Sequence, residues 1–500
     1  MPWIFVRQRA RQILTRMQAV YAKIDARAAK QKPVGVEVFL ADPTRFQAQI
    51  SQLSASWRPL TEEPRMAELL ASYIYTAPDR YVLKLRPFEL AELYGLDPMA
   101  TLRFFLKATR AGFLNLSWDL LCPGCQGAKA AASSLSTLNP HAHCDICDID
   151  YTVSLDENFE LTFHPVATVR SVFDTPFCAG SPSNTGHLAQ QFNVWPREHK
   201  QLTLSLPSGS YRFRCPSMQG YVAFEVALGG QRQYQLLLGE AFDNTAKLIL
   251  APACEVQIVN QRNLFQTLRI EDLAWRSLRV SAALVSSLQD FRDSFSSEVL
   301  RPGVQLAVSN LTVMFTDLKD STSMYELRGD ATAFSLVQEH FDIMRELISG
   351  YQGAIVKTIG DAVMAVFQDP LRALRCALEI QQVFGERKQR QPEHPIVVKL
   401  GLHLGPSIAL NLNERLDYFG TTVNKAARIQ SESLGEDIVL SPAMLESEGV
   451  LELIAGMPLS AFEKNLKGLS GLTRLYRLEP LKPQPALSDG ETPMIAKPSA

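Results

Sequence analysis

Leu311-Thr-Val-Met-Phe-Thr-Asp317-Leu-Lys-Asp320-Ser-Thr322 is an apolar run that ends on a carboxylate. Leu311–Phe315 reads as a buried strand, and Ser321 opens a helix just beyond it. An acid between a strand end and a helix start suits a metal-bound polyphosphate, because hard oxygen ligands and free backbone N–H groups meet there. About forty residues on, Ala354-Ile-Val-Lys357-Thr-Ile-Gly360-Asp361-Ala-Val-Met-Ala-Val-Phe367 reads as two strands around a tight turn. The glycine relieves the turn and Asp361 lands at its tip. Two carboxylates on neighbouring strand ends can hold two divalent ions, an arrangement suited to in-line displacement at phosphorus.

A third element follows in Asp417-Tyr-Phe-Gly420-Thr-Thr-Val-Asn424-Lys-Ala-Ala-Arg428. From Thr421 this reads as a helix, and Asn424 and Arg428, one turn apart, share a face. An amide and a guanidinium side by side can orient a sugar and neutralise a phosphate.

These three separated motifs, in this order and spacing, resemble the catalytic domain of class III nucleotidyl cyclases, the adenylate and guanylate cyclases. The resemblance covers about 308–440 and extends to 480. It implies a ferredoxin-like βααββαβ domain and a homodimer with both active sites at the interface. It also implies that Asp317 and Asp361 ligate two Mg²⁺ or Mn²⁺ ions per site. Lys357 and Asp417 fall where the family's adenine-reading pair sits. Asn424 matches the ribose-orienting residue, and Arg428 the one that stabilises charge on the transferring phosphate. Lys467 resembles the late lysine on the terminal phosphates, and Leu318 falls among the substrate-contacting positions. Guanylate cyclases of the family carry other residues at the base-reading positions, so the resemblance points to ATP, with cyclic AMP and pyrophosphate as products. One departure is Asp320, where the family usually has Gly. A carboxylate in the polyphosphate turn repels the nucleotide unless it points away, as a cap on the helix at Ser321 would.

Upstream, Leu284, Leu288, Phe291 and Phe295 are spaced 4, 3, 4 and read as the seam of a short helical dimerisation linker over 276–303. From 153 to 275 the period is two: Leu202, Leu204 and Leu206, then Ser208-Gly209, then Tyr211, Phe213 and Cys215, and later Cys254, Val256 and Ile258. The pattern predicts an antiparallel β-sandwich-like domain with Cys178, Cys215 and Cys254 as small buried residues. Cys122-Pro-Gly-Cys125, 18 residues, then Cys144-Asp-Ile-Cys147 is two CxxC knuckles at zinc-ribbon spacing. Four thiolates close the zinc tetrahedron, so one structural Zn²⁺ per chain is expected, with His141 and His143 flanking it.

Residues 33–152 hold that knuckle pair and a helix–turn–helix–strand pattern: Pro87–Tyr94 stopped by Gly95, Asp97-Pro98 opening a helix to Arg110, then Phe113–Leu116. The order is winged-helix-like, with Arg103, Lys107 and Arg110 as contacts should it bind DNA. Residues 60–300 resemble a bacterial domain of unknown function that precedes such cyclases. Residues 1–32 form a basic amphipathic helix, with Ile13, Leu14, Met17, Val20, Tyr21 and Ile24 at helical spacing and eight Lys/Arg against one Asp. Such a helix packs on its own domain or touches a membrane peripherally. Residues 304–480 are the catalytic domain, and 481–500, with four prolines, read as a disordered tail.

The composition excludes other classes. Of 500 residues 46% are apolar and 20% charged, with 50 Lys+Arg against 52 Asp+Glu. That is the balance of a globular protein with no global field for nucleic acid, and the elements and the resemblance above make its expected fold class α+β multidomain. No run of about 18 apolar residues exists to span a bilayer, and nothing reads as a secretory signal, so a cytoplasmic enzyme is expected. Competing readings are a guanylate cyclase, and a catalytically weak nucleotide sensor attached to a zinc-containing DNA-binding module.

Overall fold

The computed structural model describes residues 2–29, 36–123, 127–137, 139–144, 149–173, 188–218, 220–242, 248–273, 278–393, 395–469 and 471–480. The chain divides into two units. The first takes residues up to Val285 with Glu298–Arg301, and the second Ser286–Ser297 with everything from Pro302.

The first unit opens with a helix over Pro2–Ala28. The helix–turn–helix pattern is present: Pro87–Tyr94 ends on Gly95 at φ +64°. Asp97 then caps Pro98–Arg110 by accepting from the Ala100 N–H at 2.6 Å. Leu102, Phe104, Phe105 and Leu106 of that helix are buried. It leads into a three-stranded antiparallel sheet in which Leu114–Leu121 lies between Ala128–Ala132 and Phe159–Pro165.

The β-rich segment departs from a two-sheet sandwich. Its strands form one six-stranded sheet, ordered Leu188–Val194, Gln266–Asp272, Gly209–Arg214, Val222–Leu238, Leu248–Asn260 and His199–Ser205. The long strands Val222–Leu238 and Leu248–Asn260 run parallel and join the two halves into one ladder, interrupted near Gly229 at φ +88°. Its core includes the expected alternating Leu204, Leu206, Tyr211, Phe213, Val256 and Ile258. Cys215 and Cys254 are buried there, and burial pushes the Cys215 thiol up to about 12. Cys178 lies outside the described residues.

The second unit is built on strands β1 (Gln305–Leu318), β2 (Ala354–Ile359), β3 (Ala362–Phe367), β4 (Val398–Leu412), β5 (Arg415–Phe419), β6 (Ile438–Leu440), β7 (Leu459–Asn465) and β8 (Leu472–Leu478). Between them run α1 (Ser321–Arg328), α2 (Asp330–Gly350), α3 (Pro370–Arg390) and α4 (Thr421–Ser431). The sheet order is β2-β3-β1-β4-β6-β8-β7, with β5 on β4. The first four positions are those of the ferredoxin-like βααββαβ fold that the sequence implied. Met344 and Ile348 of α2 and Leu374, Ala377, Ile380 and Phe384 of α3 share a core with Met314, Val363, Phe367, Leu400 and Leu402 of the sheet. Their helical spacing forms the apolar stripe of a sheet-packed helix.

The helical linker is not a coiled-coil seam. Ala282–Ser286 and Gln289–Ser294 are separate short helices, parted where Leu288 takes extended backbone (φ −99°, ψ 130°). Leu288 and Phe291 are already buried in the single chain, so no continuous apolar stripe is left for a partner helix.

Candidate functional site

β1 lies between β3 and β4, and Asp317 stands one residue before its end. Thr316 pairs with Val363 of the antiparallel β3, so the end of β1 and the tip of the β2–β3 hairpin meet at one edge. That tip is Gly360-Asp361, with Gly360 at φ +65°, a conformation cheap only for glycine. Asp317 is half-buried. Burial first, and the nearby Asp361 second, hold its carboxyl above the usual carboxylate range, against Lys399, the Leu318 N–H and the Gln430 amide. Asp361 Oδ2 is buried and without a hydrogen-bond partner. Two convergent carboxylates, one with an oxygen left unsatisfied, are a hard-oxygen donor set that fits Mg²⁺ or Mn²⁺.

The two positions expected to read the base, Lys357 and Asp417, come together within one chain. Lys357 Nζ lies 2.7 Å from Asp417 Oδ2 and 4.9 Å from the Phe419 ring centroid. Asp417 reaches this place because β5 folds back along β4 through Asn413-Glu414, both at positive φ, a two-residue hairpin turn. Its other oxygen accepts from the Tyr418 N–H at 2.7 Å. The Asp417 side chain is 7% exposed and that of Lys357 31%, so the pair presents a donor and an acceptor side by side at an accessible edge. Among the described residues no hydrogen bond or ion pair joins Lys357 or Asp417 to Asp317 or Asp361.

Asn424 and Arg428 are both exposed on α4, one turn apart as expected. The helix seats closely on β4 because Gly401 has no side chain; a Cβ there would lie 2.3 Å from the Gln430 nitrogen. Lys467 is exposed beside Gly468, which turns the chain at φ +83°. Leu318 is the last residue of β1. Its side chain belongs to the core, so only its backbone can face a substrate, and its N–H serves the Asp317 carboxylate.

Asp320 is exposed at φ +57°, the left-handed region that explains why glycine suits this turn. It lines a surface groove with Lys319, Ser323, Leu327 and Pro395–Val397.

Local patterning did not reveal how the segment before β1 grips the strands that carry Lys357 and Asp417. The Gln289 N–H donates to the Gly353 carbonyl, and its side-chain Oε1 accepts from the Ile355 N–H at 2.8 Å. Arg292 donates to the Leu416 carbonyl at 2.6 Å, and Ser286 shares a hydrogen bond with the Tyr418 hydroxyl at 2.8 Å. Arg345 on α2 pins the same segment through Asp293 at 2.6 Å.

At the cysteine pairs, Cys122 and Cys144 are buried in one cluster with Ile149 and Tyr151. Cys125 and Cys147 lie outside the described residues, and no group of three or more metal-ligating side chains gathers among the described ones. His141 and His143 stand on the hairpin His141–Cys144/Ile149–Thr152, where His143 Nδ1 pairs with Asp150 at 3.0 Å.

Residues 305–452 match the family described as the adenylate and guanylate cyclase catalytic domain. Residues 47–176 match a family of unknown function, starting earlier and ending well short of the 60–300 span read from the sequence. The chain is 33% identical over 207 residues to an adenylate cyclase of Lachancea kluyveri, covering 37% of this chain and 10% of that protein. It is 28% identical over 151 residues to adenylate cyclase 1 of Rhizobium meliloti, covering 27% and 23%. The chain thus spans a tenth and under a quarter of these two relatives. A solved adenylyl cyclase from P. aeruginosa is 21% identical, with a TM-score of 0.31, over 35% of this chain and 95% of that one. Residues 305–452 of the second unit are thus similar to the adenylate and guanylate cyclase catalytic domain.

Proposed function

We propose that the protein is an adenylate cyclase that works as a homodimer, converting ATP to cyclic AMP and pyrophosphate. The observation that carries this reading is the Lys357–Asp417 pair at 2.7 Å. Its ammonium donates to adenine N1 and its carboxylate accepts from the exocyclic amine; guanine places a carbonyl where that amine sits, against Asp417. Such a mismatch leaves buried polar groups unpaired, which discriminates strongly. Adenylate cyclases among the relatives support the same substrate.

Asp317 and Asp361 would hold Mg²⁺ or Mn²⁺, two ions per site. Held by these carboxylates, such ions would supply acidification of the ribose 3′-hydroxyl and offset phosphate charge. Asn424 orients the ribose, Arg428 stabilises charge growing on the α-phosphate, and Lys467 takes the terminal phosphates. The buried Cys122–Cys144 cluster supports a structural Zn²⁺ completed by Cys125 and Cys147, outside the chemistry. The grip of Gln289 and Arg292 on β2 and β5 supports a regulatory role for the chain before β1.

Purified protein with Mn²⁺ and either nucleotide tests the reading. ATP should give cyclic AMP, GTP should give little product, and Asp361→Asn should lower turnover by at least about a hundredfold. Nucleotide binding without product, or product from GTP alone, overturns it.

Asp320 allows a second check. Asp320→Gly removes a carboxylate from the polyphosphate turn and relaxes a left-handed residue, for a gain of up to about 1 kcal/mol. KM for ATP should fall and the unfolding midpoint should not. A rise in KM would show that the carboxylate helps the site.

A further inference from the structure

The helix Pro2–Ala28 is unused by the catalytic reading. Its sequence holds six Lys/Arg and a single acid, Asp25. Leu14, Met17 and Tyr21 follow one another at i, i+3 and i+7, on one stripe of the helix. Folding leaves that stripe open: Leu14 and Tyr21 are each 57% exposed and Met17 45%. The C-terminal end is tied down, with Val20 and Ile24 half-buried and Lys23 Nζ donating to the Leu40 carbonyl at 3.3 Å. By the 3.6-residue period, Arg7 and Arg11 border the stripe on the Leu14 side and Arg9 borders the opposite side; all three are exposed.

A second copy of the helix fits this surface poorly. Pairing two stripes would bring flanking arginines towards each other, with only Asp25 to answer them. An anionic surface neutralises both rows while the stripe sinks between them. We propose that this helix lies in the interface of an anionic phospholipid bilayer. Leu14, Met17 and Tyr21 enter the acyl boundary, and Arg7, Arg9 and Arg11 meet the headgroup phosphates. Among the described residues no helix is long and apolar enough to cross a membrane, so the contact is peripheral.

The test uses the full chain with vesicles of phosphatidylcholine, with or without phosphatidylserine, read by co-sedimentation. Phosphatidylserine vesicles should bind at least about tenfold more tightly, and added salt should weaken that binding. Changing Arg7, Arg9 and Arg11 together to Gln should cost roughly a hundredfold in affinity, since each basic residue near such a surface is worth about fivefold. Leu14→Glu/Met17→Glu/Tyr21→Glu should abolish binding with the unfolding midpoint unchanged, because those side chains are exposed already. Equal binding to both vesicle types, or none, overturns the proposal. So does a glutamate variant that binds vesicles normally but loses mass in light scattering, which would make the occupant a second copy.

Discussion

In the double variant Lys357→Glu/Asp417→Ser, cyclic AMP formation falls by at least about a hundredfold and cyclic GMP appears. The geometry adds an order of severity that composition does not. Lys357→Glu alone puts a second carboxylate where the ammonium sits 2.7 Å from Asp417, a side chain only 7% exposed. Two acids at that distance cannot both ionise without repulsion, so the single variant should be the worst, with little product from either nucleotide. Asp417→Ser alone leaves Lys357 31% exposed and able to find water, so it should lose adenine selectivity yet stay folded. In the double variant the new carboxylate accepts from guanine, and the carboxylate that opposed the guanine carbonyl is gone. Product identification for both nucleotides across the three variants checks the order. An unchanged ATP preference in the double variant would remove the pair from base reading.

What the sequence made legible here is local. The apolar run before Asp317, the glycine in front of Asp361 and the spacing of Asn424 and Arg428 each describe one element and its end. Those elements stand where they were expected. The readings that changed depend on contacts between distant segments. Alternation in 199–260 announces strands but not that two long ones pair in parallel and merge the halves of a sandwich. The spacing of Leu284, Leu288, Phe291 and Phe295 fits a helix seam, yet Leu288 leaves the helix and its apolar face is spent inside the chain. Arg292 reaches the Leu416 carbonyl across 124 residues, and no window on the sequence spans that.

An equal mixture of Asp317→Ala and Arg428→Ala protomers, free to pair at random, should recover roughly a quarter of wild-type activity, although either variant alone falls by at least about a hundredfold. The expectation rests on how the residues divide. Lys357 and Asp417 of one chain already grip each other, and no bond among the described residues joins them to that chain's Asp317 or Asp361. In the proposed homodimer, each site would take the two metal-binding acids from one chain and Lys357, Asp417, Asn424 and Arg428 from the other. Asp317→Ala in both chains strips metal from both sites, and Arg428→Ala in both chains leaves both without the transition-state cation. A mixed dimer gathers both lesions into one site, because that site draws position 317 from one chain and position 428 from the other. The remaining site is wild type throughout. Random pairing makes half the dimers mixed, each with one working site of two. Co-expression with two affinity tags isolates the mixed species, which should then show about half the wild-type rate. Inactive mixed dimers would mean that each site is contained in one chain, with Arg428 of α4 serving the same chain's Asp317. The exposure of Asn424 and Arg428 in the single chain supports the shared arrangement, since a partner's nucleotide can then reach them.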